Sequence, residues 1–262
     1  MARRVIEHVD DLDDPRLDDY RDLRSGRPKG TGPVIVESLL GVEALVASAL
    51  TIRSILVSPQ KLPRLPAVGP EVQVLVADLP LQRATVGFEL HRGVVASAER
   101  PEPLDATAVL VGARRVVIAE RMNDLENLGS LFRNARAFGA DAVLADPETT
   151  DPYGRRPVRV SLGHVLHVPF ARLAPWPEAL DVVRDAGLTV VALATDGDEG
   201  LDDLPERAAF LVGAEGTGLT HRALDSADRC VRIPMTVDVD SLNVATAAAI
   251  ALSAHFSAKA GR

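Results

Sequence analysis

The sequence predicts an α/β fold whose C-terminal part is a parallel sheet covered on both faces. Three observations carry that prediction. From residue 113 onward, short β-branched runs recur at 116–119, 142–145, 166–169, 189–194, 210–213 and 230–233, with little polar alternation. Such continuous apolar runs belong to strands buried on both sides. Helical segments lie between them, at 127–138 closed by Gly139, at 176–186 closed by Gly187, and at 243–258. A glycine just past a helix supplies the left-handed residue that ends it. Finally, three polar junctions interrupt the pattern: 127–133, 213–218 and 233–243. In parallel sheets the site lies at the carboxyl ends of the strands, so loops of this kind imply one composite site.

The chain before residue 113 has a different rhythm. Residues 1–30 are acidic and Arg-rich and read as an extension holding one short helix near 15–23. Residues 31–100 read as a small α/β domain. Its helix at 37–50 places Leu39, Leu40, Val42, Leu45, Val46 and Ala49 at helical spacing, and strands follow at 52–57, 72–76 and 93–98. A Pro-rich loop fills 59–70, and Arg100-Pro-Glu-Pro103 begins a linker over 101–112. Residues 113–262 then form the parallel domain. A chain of 262 residues can bury cores for two such domains.

Composition excludes several classes. The chain is 47% hydrophobic but has no apolar run long enough to cross a bilayer, and its first residues show no secretory pattern. The expectation is a cytoplasmic protein without membrane contact. The only cysteine is Cys230, which excludes an intrachain disulfide and fits a reducing compartment. His164 and His167 lack a third ligand at metal spacing, so no metal is expected. A net charge of −8 argues against broad nucleic-acid affinity. It leaves room for a local patch, and Arg136, Arg155, Arg156 and Arg159 lie in an Arg-rich stretch. With 3% aromatics, extensive base stacking is not expected.

Each junction has a functional and a plain reading. In the first, Gly129 and Ser130 open a helix with Leu131, Phe132, Ala135 and Phe138 on its apolar face. Arg133 then falls on the first turn, where the macrodipole disfavours a cation and a compensating partner is expected; Arg136 is as well explained by a solvated face. In the second, the glycines around Glu215 permit close backbone approach. A carboxylate there suits a cationic ligand and would repel a pyrophosphate, so this is no dinucleotide fingerprint. In the third, Ser241 or Asn243 caps the last helix, and Ser241 alone suffices for the cap.

Taken in order, Asn127-x-Gly-x-x-x-Arg133, Gly213-x-Glu-x-x-Gly-Leu219 and Ile233-Pro-Met with Ser241-Leu-Asn-Val resemble the SpoU (TrmH-like) branch of the SPOUT methyltransferases. Ser161-Leu-Gly163 resembles that family's small turn before its central strand, and 34–95 is similar to the substrate-binding domain of many relatives. The resemblance implies an S-adenosylmethionine-dependent ribose 2′-O-methyltransferase of structured RNA, rRNA before tRNA. It implies a deep trefoil knot and a homodimer whose site is completed across the interface. Catalytic roles carry over to Arg133, Asn127, Glu215, Ser241 and Asn243, and cofactor contacts to Thr195, Gly213, Ile233 and Leu242. RNA contacts are expected at Arg136, Arg155 and Arg156. Val237 and Ala245 depart from the family pattern, which has Gly and Ser there. Two rivals remain: a SPOUT-like dimer that only binds RNA, and a nucleotide-dependent oxidoreductase, for which the early Gly-x-Gly-x-x-Gly turn is missing.

Overall fold

The computed structural model describes residues 5–24, 30–90, 92–236 and 239–260. They form two compact units, 1–101 with Tyr153–His167, and Glu102–Pro152 with Val168–Arg262. Expectations at Val237 lie outside the described residues.

The N-terminal unit is built on a five-stranded sheet. Its strands are β1 (Val5–His8), β2 (Val34–Glu37), β3 (Ile52–Val57), β4 (Gln73–Val76) and β5 (Val94–Ala98), in the order β1-β4-β3-β5-β2. β5 runs antiparallel to both neighbours, and the remaining pairs are parallel. Helices α1 (Leu39–Val46) and α2 (Leu79–Val86) follow β2 and β4 and are capped by the side chains of Ser38 and Asp78. Residues 5–24, the described part of the expected N-terminal extension, are therefore part of this unit. They contribute the edge strand β1 and a 3-10 helix, Pro15–Tyr20, whose Leu17 and Tyr20 are fully buried. Too few apolar residues stand among the acids for the pattern to show in sequence.

The C-terminal unit contains a six-stranded, wholly parallel sheet. Its strands are β6 (Arg115–Ala119), β7 (Ala142–Ala145), β8 (Phe170–Arg172), β9 (Thr189–Leu193), β10 (Ala208–Val212) and β11 (Arg229–Val231), in the order β11-β9-β10-β6-β7-β8. β6, β7 and β10 are buried along their whole length, as unalternating apolar runs require. The stretch expected to be a linker holds α3 (Ala106–Leu110), capped by Asp105, with Leu110 fully buried in the core. Helix α4 (Leu125–Ala137) packs against the last helix of the unit, which runs from Val244 to Ala260. Gly139 and Gly187, just past α4 and α6 (Leu180–Asp185), adopt φ of 61° and 79°, as helix-terminating glycines should.

Two expectations fail between β7 and β8. The 113–262 domain is interrupted, because Tyr153–His167 belongs to the N-terminal unit. There a second missed helix, α5 (Arg155–Val160), packs along β2. The strand expected at 166–169 is instead the end of a 3-10 helix, His164–His167. Leu162 and Gly163 take φ of 54° and 81° and turn the chain into it. Pro169 cannot donate to a ladder, so its carbonyl only accepts from Val143 and the strand begins one residue later. That strand, β8, lies at the sheet edge and is not central.

Candidate active site

Four loops, at the carboxyl ends of β9, β10 and β11 and at the start of the last helix, α8 (Val244–Ala260), line one cavity of about 540 Å³. Thr195 and Asp196 leave β9; Gly213, Ala214 and Glu215 leave β10; Ile233 and Met235 follow β11. Asp240, Ser241, Leu242 and Asn243 precede α8. All four residues expected to hold a cofactor, Thr195, Gly213, Ile233 and Leu242, are among them.

The β10 loop is shaped by its glycines. Gly218 N–H donates to the Ala214 carbonyl at 2.9 Å, and a Cβ on Gly213 would collide with the Gly218–Leu219 peptide. Gly216 and Gly218 take φ of 82° and 66°, which L side chains rarely adopt. The loop thereby turns Glu215 toward helix α4. Asn127 Nδ2 donates to Glu215 Oε2 at 2.7 Å, and Asn243 Nδ2 donates to Asn127 Oδ1 at 2.7 Å. One chain of hydrogen bonds thus joins the three sequence-distant junctions. Its direction is set by Asn243, whose Oδ1 accepts from the N–H groups of Ala245 and Thr246 at 3.0 and 3.2 Å. Asn243, not Ser241, is the cap of α8, and its amide nitrogen is left to serve the site.

Arg133 is placed otherwise than expected. Helix α4 begins at Leu125, capped by the Asp124 carboxylate. Arg133 therefore lies in the third turn, beyond reach of the macrodipole at the first turn. Its side chain is exposed, does not line this cavity, and makes no hydrogen bond or ion pair among the described residues. Arg136 is exposed and unpartnered in the same sense. The apolar face of α4 is as expected: Leu131, Phe132 and Ala135 are fully buried, and Phe138 meets Phe256 edge-on at 6.5 Å.

The Arg155 guanidinium pairs with the buried Glu37 carboxylate and lies 4.3 Å over the Phe88 ring, all within the N-terminal unit. Its charge is committed there. Arg156 and Arg159 stand on the same short helix, α5.

Sequence reasoning missed Glu120 and Asn134. Glu120 directly follows β6 and is fully buried. It accepts from Trp176 Nε1 and Thr220 Oγ1 at 2.7 Å and from Thr220 N at 2.8 Å. A buried carboxylate must be hydrogen-bonded to be tolerated, and this one pins the residue after the Gly213–Leu219 loop, Thr220, which caps α7 (His221–Asp225). A carboxylate closing a strand beside a polar loop was a signal available in the sequence. Asn134 Nδ2 donates to the Ala245 carbonyl at 2.8 Å and ties α4 to α8; nothing local in sequence marks it.

A family model, the SpoU rRNA methylase family, matches residues 114–253. The chain belongs to that family. This SpoU methyltransferase is 44% identical over 260 residues to an uncharacterized tRNA/rRNA methyltransferase of Mycobacterium tuberculosis, covering 94% of this chain and 90% of the relative. It is 26% identical to the 23S rRNA (guanosine(2553)-2′-O)-methyltransferase RlmP of Bacillus subtilis, covering 94% and 97%. Among solved structures it resembles the SpoU methyltransferase AviRb of Streptomyces viridochromogenes, with a TM-score of 0.81, 25% identity and 94% and 98% coverage. It also resembles an AdoMet-bound rRNA methyltransferase of Sinorhizobium meliloti, with a TM-score of 0.78, 27% identity and 95% and 97% coverage. These likenesses span both units. Among the described residues, no helix is long and apolar enough to cross a membrane, and no group of three or more His, Cys, Asp or Glu could hold a metal.

Proposed function

We propose that this methyltransferase modifies a ribose 2′-hydroxyl of structured RNA, ribosomal before transfer RNA, with S-adenosylmethionine as methyl donor. The observation that carries the reading is the cavity formed where three distant polar junctions meet, with Asn243, Asn127 and Glu215 joined in one hydrogen-bonded chain. The residues present fit the donor. Leu193, Val231, Ile233 and Leu242 supply an apolar floor for an adenine, and Asp196, Glu215 and Asp240 supply negative charge for a cationic sulfonium and ammonium. The named activity of the Bacillus subtilis relative supports the 2′-oxygen as acceptor.

When bound, S-adenosylmethionine supplies the methyl carbon. The protein's part is to position and to stabilise charge. A hydroxyl is a weak nucleophile and must lose its proton as it attacks. A guanidinium is a donor with no acceptor site, so the role of Arg133 is electrostatic: it holds the neighbouring phosphate and stabilises charge developing on the 2′-oxygen. A phosphate oxygen or water takes the proton. Asn127 and Glu215 hold Asn243 in register, and Ser241 and Asn243 orient the reacting groups; much of the rate comes from this positioning. Because Arg133 is exposed on α4 and outside the cavity lining, the reading includes a homodimer in which Arg133 of a second copy of this chain completes the site. It also includes a trefoil knot, with the segment before α8 threaded through the cofactor loops. Arg136 and Arg156 contribute phosphate contacts.

The test is a nucleotide-resolution map of 2′-O-methylation in ribosomal and transfer RNA from cells with and without this protein. One methylated position should disappear and return on complementation. An unchanged map, together with no methyl transfer by the purified protein to RNA from the deficient cells, would overturn the reading.

A further inference from the structure

The C-terminal unit contains a second cavity, of about 280 Å³, that the mechanism above does not use. The turn 121–124 forms one side, and Ala214, Glu215 and Thr217 form the other. Those last three residues also line the larger cavity, so the β10 loop is a wall common to both.

The turn is held in an uncommon shape from behind. Arg121 has φ of 55°, in the left-handed region that few non-glycine residues occupy. Its N–H donates to Asp146 Oδ1 at 3.0 Å, and the Met122 N–H donates to Thr149 Oγ1 at 3.0 Å. Asp146 Oδ1 also accepts from Thr149 N and Oγ1, at 2.8 and 2.6 Å. Arg172 in turn donates to the carbonyls of Asp146 and Thr149 at 2.7 and 2.8 Å. A rare conformation persists only where its surroundings over-determine it, and three side chains do so here.

What the turn presents is polar and unspent. Arg121 Nε lies 3.4 Å from Glu148 Oε2 in a solvent-exposed pair, a kind that contributes little. The terminal nitrogens of Arg121 and the amide of Asn123 make no hydrogen bond among the described residues. Two carboxylates also line the cavity, Glu215 held by Asn127 and Asp124 capping α4, and carboxylate oxygens accept from sugar hydroxyls. The volume lies below the roughly 300–1,000 Å³ of pockets for drug-sized ligands, which suits a fragment of a polymer. An arginine fork beside a free amide suits a phosphodiester and its sugar.

We propose that this second cavity receives the ribose of the RNA nucleotide to be methylated, its hydroxyls toward Asn123 and the acids Asp124 and Glu215, and its phosphate held by the half-exposed Arg121. The proposal rests on the RNA methyltransferase reading above. The common wall then brings the accepting ribose beside the cofactor cavity, and Asp146, Thr149 and Arg172 act as positioning residues for the turn.

The experiment uses the full-length protein, methyl-tritiated S-adenosylmethionine, and ribosomal and transfer RNA from cells lacking the protein. Arg121→Gln should lower kcat/KM for RNA by about 10- to 100-fold, the loss expected for one charge-assisted hydrogen bond, while calorimetric affinity for S-adenosylmethionine stays unchanged. The salt dependence of RNA binding should flatten by about one phosphate contact. Arg121→Lys should recover part of the loss, and Glu148→Gln should hold or raise kcat/KM. Wild-type kcat/KM in Arg121→Gln, or a parallel loss of cofactor affinity, would overturn the proposal and leave the function standing. A wild-type protein that binds S-adenosylmethionine but labels no RNA would instead remove the function, and this site with it.

Discussion

The two units differ in whether their polar side chains converge on one cavity. In the N-terminal unit they are spent inside the fold: Tyr20 Oη meets Ser54 Oγ at 2.7 Å, Ser97 donates to Asp19 at 2.6 Å, Arg155 is held by Glu37, and Ser38 and Asp78 do nothing but cap helices. In the C-terminal unit Asn243 caps α8 and still donates to Asn127, while Arg133, Arg136 and Asn123 keep unpartnered heads among the described residues. The sheets explain part of the difference. Six parallel strands put every carboxyl end on one side, so loops distant in sequence converge. In the N-terminal sheet β5 runs against its neighbours, so its carboxyl end lies on the side opposite to theirs. The same residue types therefore make stability in one unit and a site in the other.

The largest test of that contrast is Arg133→Ala. Loss of a contact made in the transition state should reduce turnover by about two to three decades, or roughly 3–4 kcal/mol. Thermal stability and S-adenosylmethionine affinity should not move, since the side chain touches neither the core nor the cavity. Turnover near wild type on a mapped RNA would remove Arg133 from the mechanism.

Glu120→Gln asks whether the C-terminal unit also contains a purely internal polar group that matters to function. A glutamine would turn a donor toward Trp176 or Thr220. A loss of about 2–3 kcal/mol in unfolding free energy is expected, and weaker cofactor binding should accompany it because the loop lining the cavity is released. If affinity measured by calorimetry held while stability fell, Glu120 would be structural only.

Arg155→Ala should lower stability by about 1–2 kcal/mol, because it leaves the buried Glu37 carboxylate without its partner, reduced for the part of the pair that water reaches. Arg156→Ala should change RNA binding more than stability. Chemical denaturation and an RNA salt titration on both variants would separate the roles; equal effects on RNA would restore Arg155 to the footprint.

The smallest effect is expected at Asp14. The Arg16 guanidinium, with the Arg16 N–H, holds its carboxyl down from 3.8 to about 2. A depressed carboxylate stabilises the fold above its unfolded value and loses that contribution as pH falls through the folded one. Stability should therefore decline between about pH 4 and pH 2, and Asp14→Asn should flatten that part of the curve. An unchanged acid limb would show the pair to be inconsequential.

The parallel C-terminal sheet, the glycine-closed helices and the convergence of the junctions holding Asn127, Glu215 and Asn243 are legible in the residues alone, because burial on both faces and loop chemistry are local signals. The family resemblance those motifs carry, and not local chemistry, pointed to Thr195, Gly213, Ile233 and Leu242, which line the cavity. The folded chain was needed to place the start of helix α4, and so to free Arg133 of the macrodipole, to make Asn243 rather than Ser241 the cap, and to pair Arg155 with Glu37. It alone assigned Tyr153–His167 to the other unit and made β1 part of a sheet. These depend on partners far away in sequence: 118 residues separate Glu37 from Arg155, and 116 separate Asn127 from Asn243. No periodicity or propensity reports a neighbour at that distance, since the free energy that selects it comes from burial and hydrogen bonds formed only when the chain has closed on itself.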